Sequence, residues 1–269
     1  MLAHVDGADL FYESSGDGVP MLVMHGVGLD HAYMRPSHEA LADRHRVTFY
    51  DHRLNGRSTR TGAADRAIWT ADAAALLDHL GTERAIIVGH SYGSWLGLEF
   101  ALRYPERVHG LVLSGTAPAF DYLPEVIANA HARDPRRAAR LLEGFSTPPA
   151  SDEALGRVWA DVLPLYFHGT PPPDLLADTL FSAVGFTASM TALAGFDLGP
   201  RLAELRAPVL VVAGRDDFIM PPARARRVAD GASKGTYVEL DASGHFPFVE
   251  QPTAYREAIR SWARQARLA

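Results

Sequence analysis

Cysteine is absent from the 269 residues of the chain, and lysine is represented by Lys234 alone. Without cysteine the protein has no disulfide bond, no thiolate metal site and no cysteine nucleophile. The polar surroundings of Lys234 argue against a lysine-dependent mechanism. No run of 18 apolar residues occurs, so we expect no membrane span, and the N-terminus lacks the apolar core of a signal peptide. These absences predict a soluble, cytoplasmic protein.

The formal net charge of −6 and the pI near 6.0 give no indication of a nucleic-acid surface. Hydrophobic residues make up 47% of the chain and charged residues 22%, as in an ordinary globular protein. The histidines show no metal-ligand spacing, and neither a P-loop nor a dinucleotide-binding fingerprint occurs. We therefore expect no metal, no cofactor, no nucleic acid and no membrane partner. The oligomeric state is left open.

Short apolar runs alternate with helical patterns along most of the chain. The runs are DLFYES, PMLVMHG, RVTFYDH, RAIIVGH, VHGLVLSG, PVLVVAG and GTYVELD. Several are apolar throughout, which fits parallel strands buried on both faces. Between them, TADAAALLDHLG has Thr70 as a possible N-cap and Gly81 as a stop signal. The alternation predicts an α/β fold with a mostly parallel sheet and helices on both faces.

One region breaks this alternation. Residues 118–200 contain no convincing strand, whereas YLPEVIANAHA, PRRAARLLEGF, DEALGRVWADVL and DLLADTLFSAV have helical patterns. A long connection in a compact domain is more often functional than incidental. We therefore predict a helical cap, residues 118–200, inserted after the sixth strand of a core domain made of residues 1–117 and 201–269.

Ser91 is the centre of the pattern GHSYG, residues 89–93. A buried run precedes it and a helical segment follows, which is the strand–turn–helix context of a nucleophile elbow. The two glycines leave room for a sharp turn, because side chains there would collide with the neighbouring strand and helix. A helix N-terminus also favours a developing negative charge. The pattern predicts that Ser91 is a nucleophile; the alternative is an ordinary serine in a glycine-rich turn.

A serine nucleophile needs a base and a group that orients the base. His245 follows the last apolar run, and Asp216 and Asp217 follow the run before it. The order Ser, Asp, His, with each residue just past the end of a strand, brings all three to one edge of the sheet. We predict that His245 is the base and that one of the two aspartates orients it. The alternative for His245 is an exposed loop histidine.

With these motifs the chain resembles the α/β-hydrolase-fold serine hydrolases, over essentially its whole length outside the cap. The motifs occur in the family's order: HGVG (25–28), DHRLNGRS (51–58), GHSYGS (89–94), GRDDFIMP (214–221) and SGHFPFVEQP (243–252). The resemblance implies a catalytic triad of Ser91, Asp217 and His245. The family's acid lies three residues after the glycine and four before the proline, which selects Asp217 and leaves Asp216 as a surface or turn residue.

The resemblance also implies an oxyanion hole. The family forms it from two backbone N–H groups, which here belong to Val27 and Tyr92. His25, in the same loop as Val27, is expected to be structural. His90 is expected to pack and to form hydrogen bonds.

Leu54 departs from the family pattern. The loop after the third strand commonly reads D-x-R-G-x-G-x-S, but leucine replaces its first glycine here. Leucine resists a positive φ, so this loop either avoids that conformation or stores strain.

The closest resemblance within the family is to the prolyl-aminopeptidase-like and small-ester hydrolase branch. It implies hydrolysis of a small carboxylic ester, lactone or amide through a covalent acyl-enzyme, without a cofactor. Several apolar and aromatic side chains of the cap are expected to line an apolar acyl pocket. The candidate substrate-binding residues are His31, Trp159, Tyr166 and Phe167.

Three alternatives stay open. A prolyl aminopeptidase would recognise the free amine of its substrate with cap carboxylates, for which Glu143, Glu153 and Asp161 are candidates. A solvated helix face is the other explanation for these three residues. From other classes, the same fold serves as a low-turnover ligand receptor and as a cofactor-free enzyme of C–C cleavage or perhydrolysis.

Overall fold

The computed structural model describes residues 1–268, which contain an eight-stranded sheet. Its strands are β1 (Leu2–Val5), β2 (Ala8–Ser15), β3 (Val19–Met24), β4 (His45–Tyr50), β5 (Ala85–His90), β6 (Val108–Ser114), β7 (Val209–Gly214) and β8 (Gly235–Leu240). Their order across the sheet is β1-β2-β4-β3-β5-β6-β7-β8. The pairs β1–β2 and β2–β4 are antiparallel, and all the other neighbours are parallel.

Helices fill the connections. They are α1 (Arg35–His38), α2 (Arg66–His79), α3 (Tyr92–Arg103), α4 (Leu123–Arg133), α5 (Pro135–Ser146), α6 (Asp152–Val162), α7 (Ala183–Ala192), α8 (Pro222–Gly231), α9 (Pro247–Glu250) and α10 (Pro252–Gln265). Short 3-10 turns occur at Glu39–Leu41, Pro105–Arg107, Leu163–Tyr166 and Gly199–Glu204. None of the helices within residues 1–268 combines the length and the apolar character that crossing a bilayer requires.

The central strands are buried on both faces. Every residue of β5 and of β7 is buried, as expected for parallel strands covered by helices on both sides. The predicted α/β class, with a mostly parallel sheet, is therefore confirmed. The strands β5, β7 and β8 run parallel, so their carboxyl ends lie at the same edge of the sheet. Ser91, Asp217 and His245 all follow these ends.

Strand β1 was not predicted, because its four residues are too few for a clear apolar run. It forms a hairpin with β2 through the turn Asp6–Gly7. Both turn residues have positive φ, 43° and 76°. An Asp-Gly pair is a strong signal for this kind of two-residue hairpin turn, so this pair could have located the β1–β2 hairpin from the sequence.

Helix α2 begins earlier than predicted. Its N-cap is Asp65, whose side chain accepts a hydrogen bond from the Ile68 N–H, and not Thr70. Thr70 lies inside the helix, where its hydroxyl donates to the carbonyl of Arg66 at 2.8 Å. A threonine can satisfy its hydroxyl in this way within a helix, so the residue type alone did not locate the start.

The segment between β6 and β7 carries α4 to α7, which confirms a helical insertion after the sixth strand. The cap boundaries at 118 and 200 stay a prediction. The expected helix over DLLADTLFSAV is wrong, because helix α7 starts only at Ala183. In this segment the Leu180 N–H donates to Asp30 and the Ser182 N–H donates to the Gly28 carbonyl. Tertiary hydrogen bonds therefore replace helical ones there.

Gly214 ends β7 at a point where the loop before His245 crosses closely. A Cβ at Gly214 would overlap the carbonyl of Gly244 and lie 2.5 Å from that of Ser243. We predict that Gly214→Ala lowers the free energy of unfolding by about 1–3 kcal/mol, as overpacking commonly does. Chemical denaturation measures this change.

The matched control is Gly169→Ala, because a Cβ at Gly169 meets no atom within 4 Å. A Gly214→Ala variant as stable as the Gly169→Ala variant would contradict the close approach.

Candidate active site

Ser91 sits at a sharp turn between β5 and α3. Its backbone has φ 56° and ψ −123°, a conformation that non-glycine residues rarely adopt. The Ser91 N–H donates to the carbonyl of Ser114, at the end of β6, at 2.9 Å. The Ser91 carbonyl accepts from the Ser94 N–H and from the Ser94 hydroxyl, at 2.9 and 2.6 Å. The strained residue is therefore fixed by hydrogen bonds on both sides.

Two glycines make this turn possible. A Cβ at Gly89 would lie 2.5 Å from the carbonyl oxygen of Gly93 and 2.6 Å from the Cα of Ser94. A Cβ at Gly93 would overlap the carbonyl of Met24, at the end of β3. One glycine thus lets the helix approach the strand before it, and the other lets the helix approach the neighbouring strand.

His245 and Asp217 form a buried pair. The Asp217 carboxylate lies 2.7 Å from His245 Nδ1, and both side chains are at most 2% exposed. The other carboxylate oxygen accepts from the N–H groups of Ile219 and Met220, at 3.0 and 2.9 Å. A carboxylate only accepts, so Nδ1 carries a proton and Nε2 of the neutral ring is free to take one. This is the tautomer that a general base needs.

Asp216, the other candidate acid, points away from this pair. Its carboxylate lies 2.5 Å from His168 Nδ1, and the two side chains are 37% and 50% exposed. Of the two aspartates, Asp217, which the resemblance selected, is the one whose carboxylate contacts His245.

The loop that carries His245 is held from two directions, by Tyr166 and by the end of β5. The His245 N–H donates to the Tyr166 carbonyl at 2.6 Å. Its ring lies against that of His90, the residue before Ser91, with the ring centres 4.7 Å apart. Gly115 leaves room for the imidazole, since a Cβ there would be 2.5 Å from His245 Cε1.

A chain of buried hydrogen bonds links three loops around Ser91. The Gly26 N–H donates to the Tyr33 hydroxyl at 2.8 Å, and that hydroxyl lies 2.7 Å from His90 Nδ1. His90 Nε2 lies 2.9 Å from the His245 carbonyl. Because a carbonyl only accepts, Nε2 carries the proton and Tyr33 donates to Nδ1. Tyr33 was not predicted, since nothing in one sequence marks a tyrosine as such a link.

The two proposed oxyanion donors are the N–H groups of Val27, which follows Gly26, and of Tyr92, which follows Ser91. Among the described residues, the Val27 N–H finds no hydrogen-bond acceptor. Tyr92 begins α3, and the first N–H groups of a helix have no partner inside it. His25 holds the Val27 loop: its Nδ1 lies 2.8 Å from the Gly26 carbonyl and its Nε2 accepts from the His52 N–H at 3.0 Å. Its ring nitrogens are both engaged, as expected for a structural histidine.

Ser91 opens into a small apolar cavity of about 60 Å³. Apart from Ser91, its lining is almost entirely hydrophobic and comes mostly from the helical insertion: Val27, Leu141, Gly144, Phe145, Leu155, Val158, Trp159, Val162, Tyr166, Phe186 and Ile219. Two of the four candidate substrate-binding residues, Trp159 and Tyr166, are in this lining.

The other two candidates, His31 and Phe167, do not line the cavity. His31 is buried with Nδ1 2.6 Å from Asp51 and Nε2 3.1 Å from Glu13, so both ring nitrogens are already taken. The Phe167 ring stacks on Phe246, with the ring centres 5.0 Å apart. Within residues 1–268, no group of three or more histidine, aspartate or glutamate side chains is arranged to hold a metal ion.

The carboxylates considered for amine recognition lie on the outer side of the insertion. Glu143 and Asp161 are each 63% exposed and both pair with Arg140. Glu153 is exposed at the first turn of α6. None of the three is among the described residues that line the cavity at Ser91.

Leu54 adopts the left-handed conformation, with φ 72°. Of the two possibilities for this loop, it therefore stores strain, which for an L-residue costs roughly 1–2 kcal/mol. The side chain is 2% exposed, and the Leu54 N–H donates to the Thr59 carbonyl at 2.8 Å. Burial and hydrogen bonding offset the strain.

Comparison with known proteins identifies the family and the fold. A family model described as alpha/beta hydrolase fold matches residues 19–252. RutD of Azorhizobium caulinodans, named as a carbamate hydrolase, is 33% identical over 266 residues, covering 96% of each chain. A thermophilic esterase from Thermogutta terrifontis, with malate bound, has a TM-score of 0.74 and 28% identity, covering 98% of this chain and 97% of the esterase. The enol-lactonase from Burkholderia xenovorans LB400, with a TM-score of 0.78, 24% identity and coverage of 98% and 100%, shares the fold.

Five buried histidines favour the neutral form. One is His45, whose pKa burial lowers. Burial lowers the pKa of His25 and of His38 to about 4, and it lowers the pKa values of His52 and His90 well below the usual range. Two buried groups have raised pKa values instead, and so take up protons in the folded state more readily than in the unfolded chain. Burial and the nearby Asp51 raise the pKa of Asp30 to about 6, and although burial opposes it, the hydrogen bond to Asp51 raises the pKa of His31.

We predict that acid destabilises the fold between pH 6.5 and 4. In that range the unfolded chain protonates histidines that stay neutral in the folded state, so stability falls as the pH falls. One histidine with a pKa shifted from 6.5 to about 4 contributes about 2 kcal/mol of the difference between pH 7.5 and pH 5. Chemical denaturation at the two pH values should show a net loss of stability, because the five buried histidines outnumber the two groups that oppose them.

His38→Gln should reduce this pH difference by about 2 kcal/mol. The control, His131→Gln, replaces an exposed histidine of α4 and should leave the difference unchanged. Equal pH dependence in the two variants would mean that His38 is not held neutral by the fold.

Proposed function

The chain is a hydrolase that belongs to the alpha/beta hydrolase fold family, and from this premise we propose that it is a serine hydrolase of small carbonyl substrates. The proposed reaction cleaves a carboxylic ester, lactone or amide through an acyl-enzyme on Ser91. The proposed triad is Ser91, Asp217 and His245, and the proposed oxyanion donors are the N–H groups of Val27 and Tyr92.

The buried Asp217–His245 pair beside the strained Ser91 carries this proposal. The pair is almost fully screened from water, and Asp217 receives two backbone N–H bonds in addition to that from His245. A serine hydroxyl is a weak nucleophile unless a base takes its proton. The arrangement supplies the base in the required tautomer at the edge of the sheet where Ser91 lies.

In the acylation step, Ser91 Oγ attacks the carbonyl carbon while its proton moves to His245 Nε2. The carbonyl oxygen becomes an oxyanion, which the N–H groups of Val27 and Tyr92 stabilise. Asp217 stabilises the imidazolium that forms. Collapse of the tetrahedral intermediate breaks the bond to the leaving group, which departs with the proton from His245.

Deacylation repeats these steps with water. His245 takes a proton from a water molecule, whose oxygen attacks the acyl carbon of the ester on Ser91. The same N–H groups stabilise the second oxyanion. The intermediate then expels Ser91 Oγ, which recovers its proton from His245, and a carboxylic acid is released.

The cavity supports a short, apolar acyl group. Its volume of about 60 Å³ and its hydrophobic lining favour a neutral substrate over a charged one. The thermophilic esterase supports ester hydrolysis. The relative RutD, named for carbamates, supports a carbamic acid derivative as the second candidate, since a carbamate has the same attackable carbonyl.

The aminopeptidase alternative has less support. A free amine needs a carboxylate near the nucleophile, and the three candidates are exposed on the outer helices instead. A low-turnover receptor and a non-hydrolytic enzyme differ from a hydrolase in one observable: only the hydrolase releases acid and leaving group in repeated cycles.

We predict that the purified protein hydrolyses p-nitrophenyl butyrate over many turnovers and leaves proline p-nitroanilide essentially uncleaved. Release of p-nitrophenol, followed at 405 nm, measures the rate. Ser91→Ala should reduce turnover by at least about 10³-fold, because the nucleophile acts as a unit with its base.

Three results would count against this prediction. Ester turnover retained by Ser91→Ala would exclude the mechanism. Efficient anilide cleavage would favour the aminopeptidase and direct attention to Glu143, Glu153 and Asp161. A single stoichiometric release without further turnover would favour a receptor.

We also predict that Asp217→Asn and Asp216→Asn differ sharply. Asparagine at 217 can donate to His245 Nδ1 and so favours the wrong imidazole tautomer, which should lower kcat by about 10⁴-fold. Asp216 contacts the exposed His168, so Asp216→Asn should change kcat by less than about twofold. Equal losses in the two variants would overturn the assignment of the acid.

A further inference from the structure

The segment before α7 is hydrogen-bonded to the loop that carries the proposed oxyanion donor. The Ser182 N–H donates to the carbonyl of Gly28, the residue after Val27, at 2.9 Å. Two residues earlier, the Leu180 N–H donates to the Asp30 carboxylate at 3.1 Å. We call Leu180–Ser182 the docking segment, because it ties the helical insertion to residues 28–30.

The Ser182 hydroxyl makes three further hydrogen bonds. It donates to the Leu54 carbonyl at 2.5 Å, and it accepts from the Gly185 N–H at 3.0 Å and from Arg60 at 3.1 Å. Ser182 is fully buried. One donor and two lone pairs are all that a hydroxyl has, so its hydrogen-bonding capacity is used completely.

The hydroxyl and the backbone N–H of Ser182 together join three features at one residue. The first is the N-cap of α7, which Ser182 forms. The second is the strained loop at Leu54, with φ 72°. The third is Gly28, reached by the Ser182 N–H. A shift of Ser182 therefore displaces the insertion, the strained loop and the oxyanion loop together.

An ion pair supports the docking segment from the core. Arg60 lies 2.9 and 2.8 Å from the two carboxylate oxygens of Asp152, the first residue of α6. Asp152 in turn accepts from the Ala183 N–H at 2.8 Å. Arg60 thus contacts Ser182 directly and also contacts α6, so the start of α7 is held from two sides.

The packing around Gly28 leaves no room for a side chain. Gly28 has φ 64°, and a Cβ there would lie 2.9 Å from the Cβ of Phe186 and 3.0 Å from Leu155 Cδ2. Phe186 and Leu155 also line the cavity at Ser91. The insertion therefore rests directly on the loop whose N–H group would bind the oxyanion.

We propose that Ser182 is a positioning residue for the oxyanion hole: its hydrogen bonds to Leu54 and Gly28 fix the Val27 N–H in the geometry that the transition state requires. The inference rests on the proposed function. An oxyanion donor stabilises the transition state far more than the ground state, and one donor contributes about 10²–10³ in kcat. A Val27 N–H that is present but less well fixed should therefore lower kcat by part of that factor.

The chain offers a matched control for Ser182→Ala. Ser151 is also an N-cap serine of the insertion, where its hydroxyl accepts from the Ala154 N–H at 3.2 Å at the start of α6. Both substitutions remove a cap, which typically costs a helix a similar amount of stability. Only Ser182 contacts the loops around Ser91. Ser182→Cys is a second variant, because a thiol fills the site but is a weak hydrogen-bond donor.

The test measures kcat and KM for p-nitrophenyl butyrate, the melting temperature, and the affinity for a short alkyl trifluoromethyl ketone. That ketone forms a tetrahedral oxyanion on a nucleophilic serine and so reports on the oxyanion hole. For Ser182→Ala and Ser182→Cys we expect kcat to fall by at least about 10-fold and ketone affinity to fall in parallel, with KM within about twofold. For Ser151→Ala we expect kcat and ketone affinity within about twofold of the wild type, although its melting temperature falls.

Two outcomes would overturn the inference while leaving the proposed function intact. In one, an active wild type has Ser182 variants with the same kcat as Ser151→Ala. In the other, the Ser182 variants raise KM and leave kcat and ketone affinity unchanged. A wild type without Ser91-dependent turnover would overturn the proposed function and this inference with it.

Discussion

The close approach of α3 to the sheet is the constraint on which the site depends. The helix can begin directly after β5 only because Gly89 and Gly93 carry no side chains where the helix meets the two strands. Ser91 then has to adopt a positive φ, and its hydrogen bonds to Ser114 and Ser94 hold it there. Backbone strain of this kind persists only where the surroundings over-determine it.

The other parts of the site reach Ser91 because parallel strands end at one edge. Within that edge, buried hydrogen bonds define the spacing between loops that are far apart in sequence. Tyr33 and His90 connect Gly26 to the carbonyl of His245, and every group in this chain is satisfied. A buried polar network with all its members paired is rigid, and a rigid network keeps the proposed donors and the proposed base in one arrangement. His90 therefore contributes to this network by staying neutral.

The sequence predicted the parts that follow from local patterns. Apolar runs located the central strands, and glycine spacing around Ser91 located the elbow. The family resemblance, through the spacing of its acid from Gly214 and Pro221, selected Asp217 over Asp216, and the structure brings Asp217 to His245. The prediction of a helix over residues 174–184 failed, because residues before Ala183 bond to the core instead. Most of α7 was missed, since it contains weak helix formers such as Gly185. Bonds between distant segments leave no periodic pattern, so neither that segment nor Tyr33 could be recognised.

His31 illustrates the same limit. Its position near the oxyanion loop suggested a substrate contact, but two carboxylates from β2 and from the residue after β4 enclose its ring. Those carboxylates belong to strands that pair across the sheet, which one sequence does not reveal. A titratable residue near a predicted site can thus have a structural role. Only its hydrogen-bond partners distinguish that role from a contact with substrate.

The apolar lining of the cavity has a consequence for the end of the reaction cycle. In the proposed reaction an ester would enter the cavity neutral, whereas the acid released from Ser91 would ionise at neutral pH. An isolated carboxylate is expensive to keep in surroundings without a compensating charge, and the cavity lining contains no cationic side chain among the described residues. The charge of the proposed product would therefore favour its release. The cavity would bind the neutral substrate more tightly than the acid, and accumulated acid would compete weakly with fresh substrate.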